Sequence, residues 1–103
     1  METTAKKRLE IVIESPMVDR LCRELDKLKV KGYTVMPAVS GRGRNSNWSR
    51  RGEISDTQRM YVLFAVLDES DLSPVLDKVY DLVSHQIGIV TISDVKVIRA
   101  EHF

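Results

Sequence analysis

From Arg8 to Glu14 the chain reads RLEIVIE, with Leu9, Ile11 and Ile13 at every second position. A period of two places those side chains on one face of a β-strand. Ser15-Pro16 interrupts the alternation, and Val18, Leu21, Cys22, Leu25 and Leu28 then recur at helical spacing with charges between them. That stripe predicts an amphipathic helix lying on a sheet, with a serine N-cap, a first-turn proline and an end at Gly32. Tyr33 to Val39 (YTVMPAV) reads as a second strand, and Pro37 marks it as an edge strand or one that bends near its end. Gln58 to Asp68 (QRMYVLFAVLD) is a third strand. Ser73-Pro74 signals the start of a second helix, with Leu72, Leu76, Val79, Leu82 and Val83 on its apolar face. Gly88 to Arg99 (GIVTISDVKVIR) predicts a fourth strand or a bent pair, and Ala100 to Phe103 is a short tail.

The predicted order is β-α-β, a long loop, then β-α-β. A weak internal repeat supports two like halves: Ser15-Pro16-Met17-Val18-Asp19-Arg20-Leu21 matches Ser73-Pro74-Val75-Leu76-Asp77-Lys78-Val79. Each copy runs through a helix to glycine and a strand. Two such halves build an α+β, ferredoxin-like βαββαβ sandwich, with four antiparallel strands and both helices on one face. The other face is then bare. Met60 to Leu67 is apolar without alternation, so the third strand wants cover on both sides. A second copy of the chain is the expected cover, and a closed ring the expected form.

Composition narrows the functional classes. The 103 residues make one domain, residues 1–103, and 43% apolar content suffices for a core. Sixteen basic against 15 acidic residues leave a net charge of +1, which argues against coating nucleic acid through bulk charge. A single cysteine, Cys22, excludes an internal disulfide and is expected to be buried and inert. His85 and His102 lack metal-ligand spacing, so no metal is expected. No nucleophile–base arrangement suggests an enzyme. The N-terminus has no leader-like apolar run and no stretch is long enough to span a bilayer, so a cytoplasmic location is expected.

The unusual chemistry lies in Ser40 to Gly52, SGRGRNSNWSRRG, which holds four arginines, three glycines and the only tryptophan. It opens an aperiodic connection of about 18 residues, Ser40 to Thr57, long for a compact domain. Three readings fit: a solvated loop, a single-stranded nucleic-acid surface with Trp48 as stacking platform, or a loop closing over a phosphate-bearing small molecule. Guanidinium forks match phosphate and carboxylate geometry, and glycine-rich turns expose N–H groups to anions. No lysine follows the glycines as in an NTPase P-loop.

Three local matches then carry a family resemblance over roughly Arg8 to His102. They are Lys31-Gly32-Tyr33-Thr34-Val35-Met36, Ser40-Gly41-Arg42-Gly43 and His85-Gln86-Ile87-Gly88-Ile89-Val90. In order and at this separation they resemble the second strand, the T-loop base and the opening of the final strand in the PII signalling superfamily. The likeness is to its PII-like branch associated with bicarbonate uptake and carboxysomes. The resemblance implies a non-enzymatic homotrimer whose T-loops protrude and whose clefts between subunits bind adenine nucleotide. It assigns Gly41, Arg42, Gly43, Gly88, Ile89 and Arg99 to that cleft, with Arg59 a further candidate. It makes Arg44, Trp48, Arg50, Arg51 and Ile54 the loop surface that meets a protein partner, a bicarbonate transporter or carboxysome component, with Trp48 to Gly52 disordered until ligand binds. The Gly-Asp-Gly-Lys pattern that other PII proteins place on ATP phosphates is missing, which favours ADP or AMP over ATP. Bicarbonate is a candidate second ligand. The loop has no tyrosine for uridylylation, and no cysteine-bearing extension follows Phe103, so redox control through the tail is not expected. The alternative is a nucleic-acid-binding ferredoxin-like domain using the arginine-rich loop.

Overall fold

The computed structural model describes residues 1–42, 47–49, 59–86 and 88–103. Strand β1 (Thr4–Glu14) leads into helix α1 (Ser15–Lys27) and strand β2 (Tyr33–Pro37). Two three-residue strands follow, β3 (Ser40–Arg42) and β4 (Asn47–Ser49), then β5 (Met60–Leu67), helix α2 (Glu69–Val83), β6 (Gly88–Val97) and a 3-10 turn, Ala100–His102. The main sheet has the order β2-β5-β1-β6, and its three pairings are antiparallel. This is the ferredoxin-like arrangement expected from the two βαβ halves. Pro37 ends an edge strand, as its missing N–H requires. Among the described residues no helix is long and apolar enough to cross a membrane.

The core lies between the sheet and both helices. Leu9, Ile11 and Ile13 of β1 and Leu63, Ala65 and Leu67 of β5 meet Leu21 and Leu25 of α1 and Val75, Val79 and Leu82 of α2. Cys22 packs at the margin of this core and is half-buried rather than buried. Burial pushes its thiol pKa up, which keeps it in the less nucleophilic form.

Several boundaries differ from the sequence reading. β1 begins at Thr4 rather than Arg8, because its charged start pairs with β6 as far as Thr4↔Val97; ladder hydrogen bonding, not apolar alternation, sets that length. Ser15 is the first helical residue and Glu14 the N-cap, without a side-chain cap. The Ser15 N–H instead donates to the Arg59 carbonyl at 2.9 Å, so a neighbouring segment satisfies one open end of the helix.

At the far end α1 closes well before Gly32. Lys29, at φ 61°, takes the left-handed position that glycine usually fills. Its N–H donates to the Asp26 carbonyl (3.0 Å) and the Val30 N–H to the Leu25 carbonyl (3.1 Å). These are the paired bonds of a Schellman turn, and Val30 packs on the core beside them.

Helix α2 begins at Glu69, not at Ser73, with Glu69 and Asp71 in its first turn, where the helix dipole favours acids. Pro74 therefore lies inside the helix and offers no N–H to it. β6 is one unbroken strand that stops at Val97. The segment read as aperiodic contains a hairpin, β3 paired with β4 through Ser40↔Ser49, Gly41↔Trp48 and Arg42↔Asn47.

The sheet face away from the helices carries a transverse apolar row. Met36 pairs with Val62, Val62 with Val12, and Val12 with Ile89. Met36 and Ile89, at the two edges of the row, are 43% and 63% exposed. Below the row the Arg8 guanidinium stands 4.8 Å from the Phe64 ring centroid and 3.2 Å from the Glu10 carboxylate.

Candidate functional site

The expected site residues fall at opposite ends of the sheet. Gly88 pairs with Ile13 at one end of β1. Met60 pairs with Glu14 at that same end, so Arg59 lies there too. The Ala38 N–H donates to the Met60 carbonyl at 3.0 Å and carries β2 toward β3, which holds Gly41 and Arg42. Arg99 lies past Val97, which pairs with Thr4 at the other end. From Ile13 to Thr4 the strand runs roughly 30 Å at about 3.3 Å per residue. A single chain thus places Gly41, Arg42, Arg59, Gly88 and Ile89 at one end of the sheet, on both of its edges, and leaves Arg99 at the other.

Gly88 leaves little room for a side chain. A Cβ at this position would stand 3.0 Å from the Val12 carbonyl oxygen and 3.2 Å from Ile13 Cγ2. Next to it Ile89 points to the open face. Gly43, Arg44, Arg50, Arg51 and Ile54 lie outside the described residues. The backbones of Trp48 and Ser49 lie in β4, directly opposite Gly41 and Ser40, and the rest of the segment expected to be disordered without ligand lies outside the described residues. The ligand-binding and partner-binding parts of the loop, read as separate, are paired strands at this point.

The Arg99 end holds a cavity the sequence reading did not identify. It encloses about 260 Å³ and is lined by Gly32, Tyr33 and Thr34 of the β2 entry, Phe64, Ala65 and Val66 of β5, and His102 and Phe103 of the tail. The tail is fixed there by two polar contacts. Lys31 Nζ donates to the Phe103 main-chain oxygen at 3.1 Å, and Arg99 Nη2 lies 2.6 Å from His102 Nε2. Arg99 itself adopts φ 58°, a conformation disfavoured for a residue with a Cβ. Tyr33 borders the cavity and donates its hydroxyl to Asp26 at 3.0 Å. Burial, helped by that bond, pushes the Tyr33 pKa up to about 12.

Gly32, Tyr33 and Thr34 stood within a stretch whose family likeness was legible, yet nothing in it assigned them a role. Phe64 and Val66 are alternate residues of a fully apolar strand, so no pattern separated them from core. Phe64, Val66 and Phe103 give the cavity apolar walls that suit a flat apolar group, with His102 beside them. Its volume is below the usual range of about 300–1,000 Å³ for a ligand pocket, so it fits part of a nucleotide-sized ligand. Among the described residues no cluster of three or more His, Cys, Asp or Glu could hold a metal ion.

The sequence model of the family described as nitrogen regulatory protein P-II matches residues 6–102. A search of curated proteins finds no match. Among solved structures, CPII, a nitrogen regulatory PII-like protein from Thiomonas intermedia K12 bound to ADP, AMP and bicarbonate, superposes with a TM-score of 0.90 at 24% identity, over 99% of this chain and 96% of that one. The same protein bound to ADP and bicarbonate gives 0.86 at 25% identity, over 99% and 97%. A protein from Thermus thermophilus named as PII-like gives 0.78 at 26% identity, over 100% and 99%.

Proposed function

Because the chain belongs to the nitrogen regulatory protein P-II family, we propose that it is a non-enzymatic, cytoplasmic signalling protein that binds adenine nucleotide at the junction of two subunits of a homotrimer. ADP or AMP is the ligand rather than ATP, with bicarbonate as a second ligand. One subunit contributes Gly41, Arg42, Gly43, Arg59, Gly88 and Ile89. The next contributes Arg99 and the cavity walled by Thr34, Phe64 and Val66. Occupancy is read out through the loop, where Arg44, Trp48, Arg50, Arg51 and Ile54 meet a partner concerned with bicarbonate transport or the carboxysome.

The observation that carries this reading is the lengthwise split of the site. Residues expected to share one ligand lie roughly 30 Å apart along a single sheet, so a second copy must bring the two groups together. The undersized cavity agrees, since it supplies a base-sized recess with an open side. The apolar row Met36-Val62-Val12-Ile89 supports assembly, because exposed contiguous apolar surface on a small domain favours association. The ligands of the Thiomonas protein support the choice of nucleotide and bicarbonate. In such a site glycine N–H groups and guanidinium forks would hold phosphate oxygens by charge-assisted bonds, and binding would select one arrangement of the attached loop.

The test is calorimetric titration of the full chain with ADP, AMP and ATP, with and without bicarbonate, alongside its mass in solution. Saturable binding by a trimer is expected, tighter for ADP or AMP than for ATP. Absence of heat with all three nucleotides would refute the reading.

A further inference from the structure

Arg99 and His102 form a contact whose chemistry depends on a proton. Arginine can only donate. At 2.6 Å from the guanidinium, His102 Nε2 must therefore be the acceptor, which makes the imidazole neutral with its proton on Nδ1. The contact sits at the rim of the cavity lined by His102 and Phe103. Arg99 itself is in a left-handed conformation, at φ 58°, that a residue with a Cβ seldom adopts.

From this geometry we infer that the pair is a proton-linked latch on an anion site. Neutral His102 ties down the Arg99 guanidinium. A protonated imidazole has no acceptor to offer and carries like charge, so the contact breaks and two cationic donors are freed at the cavity rim. A diphosphate, with several oxygens to share, accepts from both. Binding of such an anion therefore takes up a proton, and its affinity rises as pH falls.

The surroundings leave the switch to these two residues. Glu101 Oε1 lies 3.7 Å from His102 Nε2 and attracts the charged ring. Lys31 is bonded to the Phe103 oxygen, and Arg8 lies over the ring of Phe64, which also lines the cavity. Tyr33 also lines the cavity, but its proton is committed to Asp26. His102 is 56% exposed, so a proton reaches it from solvent without opening the fold.

The inference rests on the nucleotide reading for the identity of its anion, and the experiment separates the two. ADP is titrated into wild type and His102→Gln between about pH 8 and about pH 6, within the range where an imidazole changes charge. Glutamine keeps an acceptor for Arg99 but cannot be protonated, and the nucleotide's own titration is common to both proteins. Wild type is expected to gain roughly three- to tenfold more affinity over that range than the variant, the scale of one partly exposed charge-assisted contact. An equal pH response in both would overturn the latch alone. No ADP binding at either pH would overturn the latch and the nucleotide reading together. Nitrogen-15 spectra of the free protein give a ligand-independent check: neutral His102 should carry its proton on Nδ1, reverting to Nε2 in Arg99→Ala, which leaves no side-chain donor. A wild-type Nε2–H tautomer would also overturn it.

Discussion

Replacing Gly88 and Gly32 by alanine, one at a time, turns the geometry at the two ends of the sheet into a measurement. Neither glycine has a positive φ, so an added methyl acts by contact rather than by backbone strain. At Gly88 the new Cβ would lie 3.0 Å from the Val12 carbonyl oxygen, 3.2 Å from Ile13 Cγ2 and 3.7 Å from Val83 Cβ. The Val12 oxygen belongs to β1, which is paired on both sides, and the branched Ile13 side chain is stiff about its first torsion. With little able to yield, the expected cost is that of overpacking, about 1–3 kcal/mol. For a domain of this size about 2 kcal/mol lowers Tm by roughly 8–16 °C. At Gly32 nothing lies within 4 Å of the added Cβ, so alanine should be neutral or stabilise by up to about 1 kcal/mol through the unfolded chain. Its methyl would nevertheless stand at the lip of the cavity proposed to take the nucleotide and should weaken ADP binding there. Urea and thermal unfolding followed by circular dichroism, at one fixed chain concentration because association shifts apparent stability, reads both. Gly88→Ala within about 0.5 kcal/mol of wild type, or Gly32→Ala as the more damaging change, would refute the packing argument.

Three other expectations follow from the same structure. Lys29→Gly should raise unfolding stability by about 1 kcal/mol, because the Schellman turn already demands φ 61° there; chemical denaturation at fixed slope checks it. Tyr33 should ionise at about 12, above an ordinary tyrosine at about 10. Because the folded value is raised, its stabilisation is complete below about pH 10 and is lost as pH climbs through about 12, an alkaline decline that Tyr33→Phe should remove, as ultraviolet phenolate absorbance with parallel unfolding would show. Val62→Lys, in the middle of the open-face apolar row, should shift the chain from the proposed trimer to monomer in sedimentation velocity while leaving the helix-side core intact; an unchanged mass would rule that face out as the interface.

Much of the fold was legible because its signals were local and repeated. Leu9, Ile11 and Ile13 alternate, Leu21 and Leu25 lie on one helical face, and both Ser-Pro pairs stand close to helix starts. The errors arose where a tertiary partner replaced a local signal. Ser15 looks like a cap but is the first helical residue, since the Arg59 carbonyl meets its N–H. Lys29 takes the place of a terminal glycine, so Gly32 misled. Ser73-Pro74 resembled the earlier start closely enough to hide Glu69 as the true one. At the site, Gly41, Arg42 and Gly88 stood out because glycine and arginine are chemically marked. The cavity was hidden, because Phe64 and Val66 differ from core residues only in which face of β5 they occupy, and His102 reaches it through a turn that no periodicity encodes.

The distance between the Gly88 end of the sheet and the Arg99 end has a genetic consequence. If each binding cleft is assembled from unlike ends of two copies, as proposed, a chain damaged at Arg99 and a chain damaged at Gly41 are not equivalent losses. Each alone would build only broken clefts, whereas a mixed ring of the two would contain a cleft in which both contributing ends are intact. Co-expression should then rescue ligand binding that neither parent retains, at a fraction set by the mixing ratio. Ligand and assembly would also stabilise one another, so apparent nucleotide affinity would weaken on dilution toward separated chains.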